Sequence, residues 1–474
     1  MHCINLASGG RFRRTGQFET TPADVDAIVT AIGMTPSRNL VVHFHGGLVN
    51  EAHGLAVARS MQTLYEGAAY PVTFAWETGA FEIIRQKFSD IWSTKLFQLF
   101  ARTALRHVGK KLGVSTGRGN GVAGLSDEEI DRILFEGGEA KTLTEGARGG
   151  AAQLSDEDLR TLEAELQAEI AEDFEQQREY VERSVAEAFE SGPGRPRDDL
   201  MPIAPSGARG FSLWSVVVFA VEVAFRVVKR FVSKRDHGLY PTVAEEVLRA
   251  VYVADIGAWG WRNIQDSAAG MWANHDGDAA DRLRGGRYFL ERLGDLDPKP
   301  TIHLVGHSAG AIAICHLIKS LRSTGPSLAI QSVSLLAPAC RHDLFRETIG
   351  AAVASKEIEN FRMFTMEDEL EQSDALIDGF PALYPRSLLY LVSGIFENDA
   401  DTPILGMHRF LTGAAPFHGG DYKELRGFLS QQDRLVLSRT ASTAPDGMRC
   451  HAIDHGAFDE DAKTRESLRH IASK

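Results

Sequence analysis

The chain has 474 residues, of which 43% are hydrophobic and 24% charged, and this composition is ordinary for a folded globular protein. It excludes a collagen-like, a wholly disordered or a small disulfide-stapled chain, and the length leaves room for one large core and a second domain or a large insertion. The formal net charge of −13 argues against nucleic acid as the main partner.

The cysteines and the first residues bear on the compartment. Cys3, Cys315, Cys340 and Cys450 are far apart and form no C-x-x-C pair, so neither a disulfide framework nor a zinc knuckle is expected. The segment 1–14 lacks the charged-then-apolar pattern of a signal peptide. Both observations favour a cytoplasmic protein.

The first part of the chain, residues 1–80, predicts a strand–helix–strand unit. The apolar runs at 40–44 and 70–76 read as buried strands, and the segment 51–66 between them has the spacing of a helix. Two strands joined through one helix by short connections indicate a parallel pair.

Residues 81–299 form a second part, which we predict to be a mainly helical insertion. A long helix begins at a capping box formed by Ser155 and Asp158, and its apolar residues recur every three to four positions. Thirteen acidic and three basic residues lie between positions 151 and 192, which we interpret as one solvated helix face. The acidic helix 155–190 is a candidate docking site for a protein partner.

The segment 211–232 is long and apolar enough to raise the question of a membrane span. Glu222 and Arg226 interrupt it, and each charge at a bilayer centre costs roughly 2.5–3.5 kcal/mol. We therefore predict a buried or interfacial helix. Peripheral membrane contact through 211–235 is a hypothesis that rests on the basic residues at the end of this segment.

Residues 300–474 form a third part, in which strands and helices alternate. Apolar runs predict strands at 301–305, 332–336 and 361–366, with a helix after each and further helices at 386–396, 422–430 and 459–472. This alternation indicates a parallel sheet covered by helices.

The sequence G-H-S-A-G at 306–310 lies between an apolar strand and an apolar helix. Small residues at Gly306 and Gly310 let the strand turn sharply into the helix, which holds the serine between them in a strained conformation with its hydroxyl exposed. The positive end of the helix faces the charge that develops during attack. The pattern predicts Ser308 as a nucleophile.

With this motif in this context, the chain resembles the α/β-hydrolase superfamily, particularly its esterase and lipase branch. The resemblance covers the first and third parts, a little over half of the chain. It implies an α/β-hydrolase fold, with a mostly parallel sheet of about eight strands flanked by helices. The large helical insertion before the nucleophile strand departs from a minimal hydrolase, and we expect it to form a cap over the site.

In this superfamily the nucleophile is followed along the chain by an acid and then by a histidine. His455 fits the position of the base, on a loop before a closing helix, and His451 is its rival. Asp368, at the end of the strand 361–366, is the predicted acid, with Asp374 as the alternative.

An oxyanion hole needs backbone N–H groups aimed at the developing charge. One donor should be Ala309, the residue after the nucleophile. The other should come from the loop after the first strand, where His45, Gly46 and Gly47 resemble the H-G-G-(G) loop of lipases and esterases, with Leu48 in place of a third glycine. We favour Gly47 as the donor and Gly46 as its support.

Two histidines near this loop raise the question of a metal. His43 and His45 alternate on the first strand, but no further ligands have matching spacing, so neither a metal nor another cofactor is expected. His307, inside the serine motif, is predicted to pack beside the nucleophile and not to act as the base.

The sequence therefore predicts a serine hydrolase that cleaves a carboxylic ester, lipid-like in its acyl part, through a Ser308–His455–Asp368 triad and an acyl-enzyme. One alternative is a serine peptidase or amidase on the same fold. The other is a non-catalytic interaction protein that uses the hydrolase core as a scaffold and docks a partner through the helix 155–190.

Overall fold

The structure is a computed structural model that describes residues 2–16, 18–47, 51–76, 80–113, 124–136, 155–191, 196, 200, 212–252, 255–375, 384–431 and 433–474. The chain divides into two compact units. The first comprises Met1–Glu82, Gly260–Glu371 and Pro403–Lys474, and the second comprises Ile83–Trp259 and Gln372–Thr402. Residues 260–299, assigned to the insertion on sequence, lie in the first unit, whereas 372–402, assigned to the third part, lie in the second.

A parallel sheet forms the centre of the first unit. Its seven strands among the described residues are β1 (Cys3–Leu6), β2 (Asn39–Phe44), β3 (Tyr70–Trp76), β4 (Thr301–His307), β5 (Ile330–Leu336), β6 (Ile358–Met366) and β7 (Leu435–Ser438). They lie in the order β1-β3-β2-β4-β5-β6-β7, and each neighbouring pair is parallel. The protein is therefore of the α/β class, with seven strands in the described residues where about eight were predicted.

The helices follow the strands along the chain. They are α1 (Pro22–Gly33), α2 (Glu51–Tyr65), α3 (Ala80–Trp92), α4 (Lys95–Lys111), α5 (Asp127–Glu136), α6 (Asp156–Gln176), α7 (Arg178–Ser191), α8 (Leu213–Val232), α9 (Leu239–Val251), α10 (Asp255–Gly270), α11 (Gly285–Gly294), α12 (Gly310–Ser323), α13 (His342–Phe345), α14 (Ala351–Ala354), α15 (Asp368–Ser373), α16 (Leu388–Leu391), α17 (Gly420–Leu429) and α18 (Ala462–Ala472). Short π-helical segments, Arg346–Gly350 and Val392–Phe396, follow α13 and α16, and a 3-10 turn, Ala457–Asp459, precedes α18.

The central strands are buried along almost their whole length. In β2 and β4 every residue after the first is buried, which is the pattern of a parallel sheet covered on both faces. The register pairs Phe44 of β2 with Gly306 of β4. The loops that follow these two strands therefore leave the same edge of the sheet side by side, and both carry residues of the predicted site.

The second unit is built from helices. In it α8 packs against α4, α6 and α9, and α6 begins at the capping box that Ser155 and Asp158 were predicted to form. On α8, Trp214 and Val218 are 55% and 46% exposed. Arg230, near its other end, is buried and pairs with Glu245 and Glu246.

No helix in the described part of the chain is long and apolar enough to cross a membrane. The start of the apolar segment, residue 211, lies outside the described residues, as does most of the linker at 192–211. Peripheral membrane contact through 211–235 and a protein partner for 155–190 stay predictions.

Candidate active site

A tight turn between β4 and α12 carries Ser308. The strand ends at His307 and the helix begins at Gly310. Ser308 has a φ of 52°, in the left-handed region that costs a non-glycine residue about 1–2 kcal/mol. Its N–H donates to the Leu336 carbonyl at 2.8 Å, and its own carbonyl accepts from the Ala339 N–H at 3.0 Å. The neighbouring strand β5 and the loop after it thus hold the serine in this conformation.

Close packing explains the two glycines of the turn. A Cβ on Gly306 would lie 2.7 Å from Cδ1 of Ile314, and a Cβ on Gly310 would overlap the carbonyl oxygen of Phe44 on β2. Contacts this short do not occur for real Cβ atoms, so the helix can approach the sheet here only through glycine.

We expect Gly310→Ala to lower the free energy of unfolding by about 3 kcal/mol or more, because its Cβ meets a backbone oxygen that cannot rotate away. Gly427→Ala is the matched control, since Gly427 lies in α17 with no atom within 4 Å of an added Cβ. The control should gain about 0.5–1 kcal/mol from its helix propensity. Urea unfolding measures both, and equal stability of Gly310→Ala and the wild type would contradict the packing described.

The predicted base lies against the predicted nucleophile. Nε2 of His455 is 2.9 Å from Oγ of Ser308, and both residues are buried. Burial lowers the pKa of His455 to about 3, the nearby His307 acts in the same direction, and Asp459 opposes them. The imidazole is therefore neutral at pH 7, which is the form that can accept a proton. The rival, His451, is exposed, and its backbone N–H donates to Asp461.

The predicted acids follow β6 along the chain, Asp368 in the first unit and Asp374 in the second. Asp368 is the first residue of α15, and Asp374 follows the last residue of that helix. In the described part of the chain, the charged groups that shift the pKa of His455 are His307 and Asp459. The acid of the triad therefore stays a prediction, with Asp368 first and Asp374 second.

A buried carboxylate that the sequence analysis did not single out lies beside the base. Asp459 is the last residue of the 3-10 turn after His455. Its Oδ1 is 3.1 Å from Nε2 of His43, and its Oδ2 is 2.7 Å from Nδ1 of His307. The second ring nitrogen of His307 lies 2.9 Å from the backbone carbonyl of His455. A carboxylate four residues after the base was the one available signal, and we had assigned it to the start of the closing helix.

The glycine loop after β2 packs directly on the serine turn. A Cβ on Gly46 would lie 3.3 Å from Cβ of Ser308, and a Cβ on Gly47 would lie 3.0 Å from Cβ of Ala309. The N–H of Ala309 stands at the start of α12, where helical N–H groups have no acceptor within the helix. Leu48 lies outside the described residues.

His45 anchors this loop. Its Nδ1 donates to the Gly46 carbonyl at 2.7 Å, and its Nε2 accepts from the Trp76 N–H at 3.2 Å. A ring that donates at one nitrogen and accepts at the other is neutral. Burial lowers the pKa of His45 to about 4, which agrees with this assignment.

Only His43 lies on β2, since the strand ends at Phe44 and His45 follows it. The two histidines contact different partners, His43 the carboxylate of Asp459 and His45 the glycine loop. Among the described residues, no group of three or more histidine, cysteine, aspartate or glutamate side chains is arranged to hold a metal.

Comparisons with known proteins identified no relative of this chain. No protein-family model matches the chain, and searches of curated proteins and of solved structures return no significant match. The α/β sheet and the geometry around Ser308 are therefore the features that bear on function.

Proposed function

We propose that the protein is a serine hydrolase of the α/β-hydrolase type that cleaves a carboxylic ester through an acyl-enzyme. The single observation that carries the proposal is the 2.9 Å contact between Nε2 of His455 and Oγ of Ser308, on a serine with a φ of 52°. A serine becomes nucleophilic when a neutral imidazole can take its proton, and this contact supplies that imidazole.

The reaction begins when Ser308 attacks the ester carbonyl and His455 takes the hydroxyl proton. The N–H groups of Ala309 and Gly47 stabilise the oxyanion, and the His455 imidazolium then protonates the leaving alcohol. Water then attacks the acyl-enzyme by the same steps, with His455 taking its proton, and the carboxylic acid product is released. Asp368, or Asp374 as the alternative, orients the imidazole in this proposal.

The surroundings of the glycine loop support an apolar acyl group. Cδ1 of Ile264 lies 3.3 Å from the position of a Cβ on Gly47, so an aliphatic side chain borders the proposed oxyanion site. We propose a lipid-like ester on this basis. Among esters of graded chain length, a longer acyl chain should therefore be cleaved faster than acetate.

A fluorophosphonate probe tests the function directly, because it phosphonylates only an activated serine. We expect the wild type to be labelled, the modified peptide to contain Ser308, and Ser308→Ala to take up no probe. Ser334→Ala is the matched control, because Ser334 is an equally buried serine on the neighbouring strand β5. It should label like the wild type.

A folded wild type that resists labelling, with and without detergent, would contradict the proposal. Labelled protein that cleaves peptides or amides in preference to esters would point to the peptidase on the same fold instead. These outcomes separate the class of enzyme from its substrate.

A further inference from the structure

We propose that His307, in its charged form and held by Asp459, is a positioning residue for the base: it fixes the backbone of His455 so that the imidazole reaches Ser308. This inference rests on the proposed function, because it takes His455 as the base. It gives the residue directly before the nucleophile a role beyond the packing that the sequence predicts.

The charge on His307 follows from its two neighbours. Nδ1 lies 2.7 Å from a carboxylate oxygen of Asp459, and Nε2 lies 2.9 Å from the carbonyl oxygen of His455. Both neighbours are acceptors, so both ring nitrogens must donate, and an imidazole that donates twice is protonated. Burial alone would lower the pKa of His307, but Asp459 and the His455 carbonyl raise it above its usual value.

Asp459 balances this charge. Its two carboxylate oxygens are shared between His307 on β4 and His43 on the neighbouring strand β2. Nδ1 of His43 is buried and has no hydrogen-bond partner among the described residues, so the neutral ring, which donates from Nε2 alone, fits that position. Burial alone would raise the pKa of Asp459, but His307 and His43 hold it well below its usual value. One negative and one positive group thus form a buried pair.

Other titratable and charged groups surround the pair formed by His307 and Asp459. Among the described residues, the titratable and charged groups around the pair include His43, His45, Tyr65, Asp454, His455 and Arg465. Arg465 of α18 donates to the backbone carbonyl of Asp459 at 3.1 Å and to Oγ of Ser60 on α2 at 2.7 Å. The pair is therefore fixed to both strands and to two helices.

The consequence for the base is geometric. The loop that carries His455 is held at its backbone by a ring on β4, one residue before the nucleophile, so the distance from His455 to Ser308 is set by a single rigid strand end. Misplacing a catalytic group by about 1 Å can cost about 10²-fold in rate. The ring centroids of His307 and His455 are 5.4 Å apart, and a cation at that distance also disfavours protonation of the base.

Two substitutions separate the two bonds of His307. The amide nitrogen of asparagine can replace Nδ1 and keep the bond to Asp459, whereas that of glutamine can replace Nε2 and keep the bond to the His455 carbonyl. We expect His307→Asn to lower kcat for ester hydrolysis by about 10²-fold with KM changed less than about twofold. His307→Gln should retain more of kcat than His307→Asn does.

The pH profile gives a readout that a merely structural role would not move. Neither variant carries the cation beside His455, so the rate constant for labelling of Ser308 should begin to fall at a higher pH in both than in the wild type. It is compared only at pH values where circular dichroism shows each protein to be folded. His303→Gln is the matched control, since His303 is a buried histidine of the same strand that contacts Ser332 through Nδ1 at 2.8 Å and does not touch the base loop. It should keep kcat and the profile of the wild type.

A wild-type kcat and pH profile in His307→Asn, alongside Ser308 labelling, would overturn this inference and leave the proposed function standing. Absence of labelling in the wild type would contradict the proposed function instead. The ¹⁵N spectrum of the wild-type histidine rings at pH 7 decides the charge in either case. Shifts typical of a protonated ring at both nitrogens of His307 support the inference, and shifts of a neutral ring contradict it. A loss of activity in His303→Gln as large as that in His307→Asn also contradicts it.

Discussion

Replacing His455 by alanine should slow the acylation of Ser308 by at least about 10³-fold, because the variant leaves the hydroxyl without the base that lies 2.9 Å away. The neutral ring of His455 is the only form that can take the proton. The rate is measured as the second-order constant for fluorophosphonate labelling, or as kcat/KM with an activated ester. Thermal unfolding of the variant shows whether the fold has survived.

His451→Ala is the control for this experiment, because the two histidines share one loop but differ in burial. His451 is exposed, whereas His455 is 7% exposed. We expect the His451 variant to react within about twofold of the wild type. A large loss in His451→Ala with full activity in His455→Ala would exchange the two assignments and contradict the geometry at Ser308.

The first unit should unfold on acidification between about pH 6.5 and pH 4. Burial lowers the pKa of His45, His303 and His342 to about 4, and that of His455 to about 3. In the unfolded chain each ring titrates near pH 6.5, so below that pH the unfolded state binds more protons than the folded state. Proton binding therefore favours unfolding. Their contribution is complete above pH 6.5 and is lost as the pH falls.

The expected size of this effect is large. Each such histidine lowers the free energy of unfolding by about 1.4 kcal/mol for each pH unit below about 6.5, so the four together lower it by about 5 kcal/mol per unit. The total free energy of unfolding of a typical protein is about 5–15 kcal/mol. His307 acts in the opposite direction, because its raised pKa makes the folded state bind a proton more readily and stabilises it at low pH. Its contribution disappears as the pH rises through the folded value, so it offsets only part of the loss.

Urea unfolding at pH 7.5, 6 and 5 measures this dependence. His303→Gln removes one of the four rings and should reduce the slope by about 1.4 kcal/mol per pH unit. A free energy of unfolding that stays constant down to pH 4 would show that these rings are protonated in the folded state, and would contradict their burial.

The central strands could be predicted from the sequence because burial on both faces produces continuous apolar runs. The bounds of Tyr70–Trp76 agree with its run, and the strands at 39–44, 301–307, 330–336 and 358–366 extend the predicted ones by a few residues. Cys3–Leu6 and Leu435–Ser438 were missed, because four residues are too few for a periodic pattern.

Some residues of the candidate site could likewise be predicted from the sequence and others could not. Ser308 and His455 could be brought together from sequence, because a glycine pattern marks the turn and the chain order of the resembled family points to the second residue. Asp459 could not, because its partners His43 and His307 are 416 and 152 positions away along the chain. A contact between side chains that far apart depends on strand register, and the place of Asp459 four residues after His455 does not by itself reveal these partners.

The separation of Ser308 from His455 along the chain has a consequence for biosynthesis. During translation the serine turn emerges 147 residues before the histidine that is to activate it. Until His455 and Asp459 have been synthesised, Ser308 has no base, and His43 and His307 lack the carboxylate that they contact in the folded protein. In the proposed enzyme, Ser308 becomes reactive only after the segment that carries His455 and Asp459 has been synthesised and has packed against the sheet.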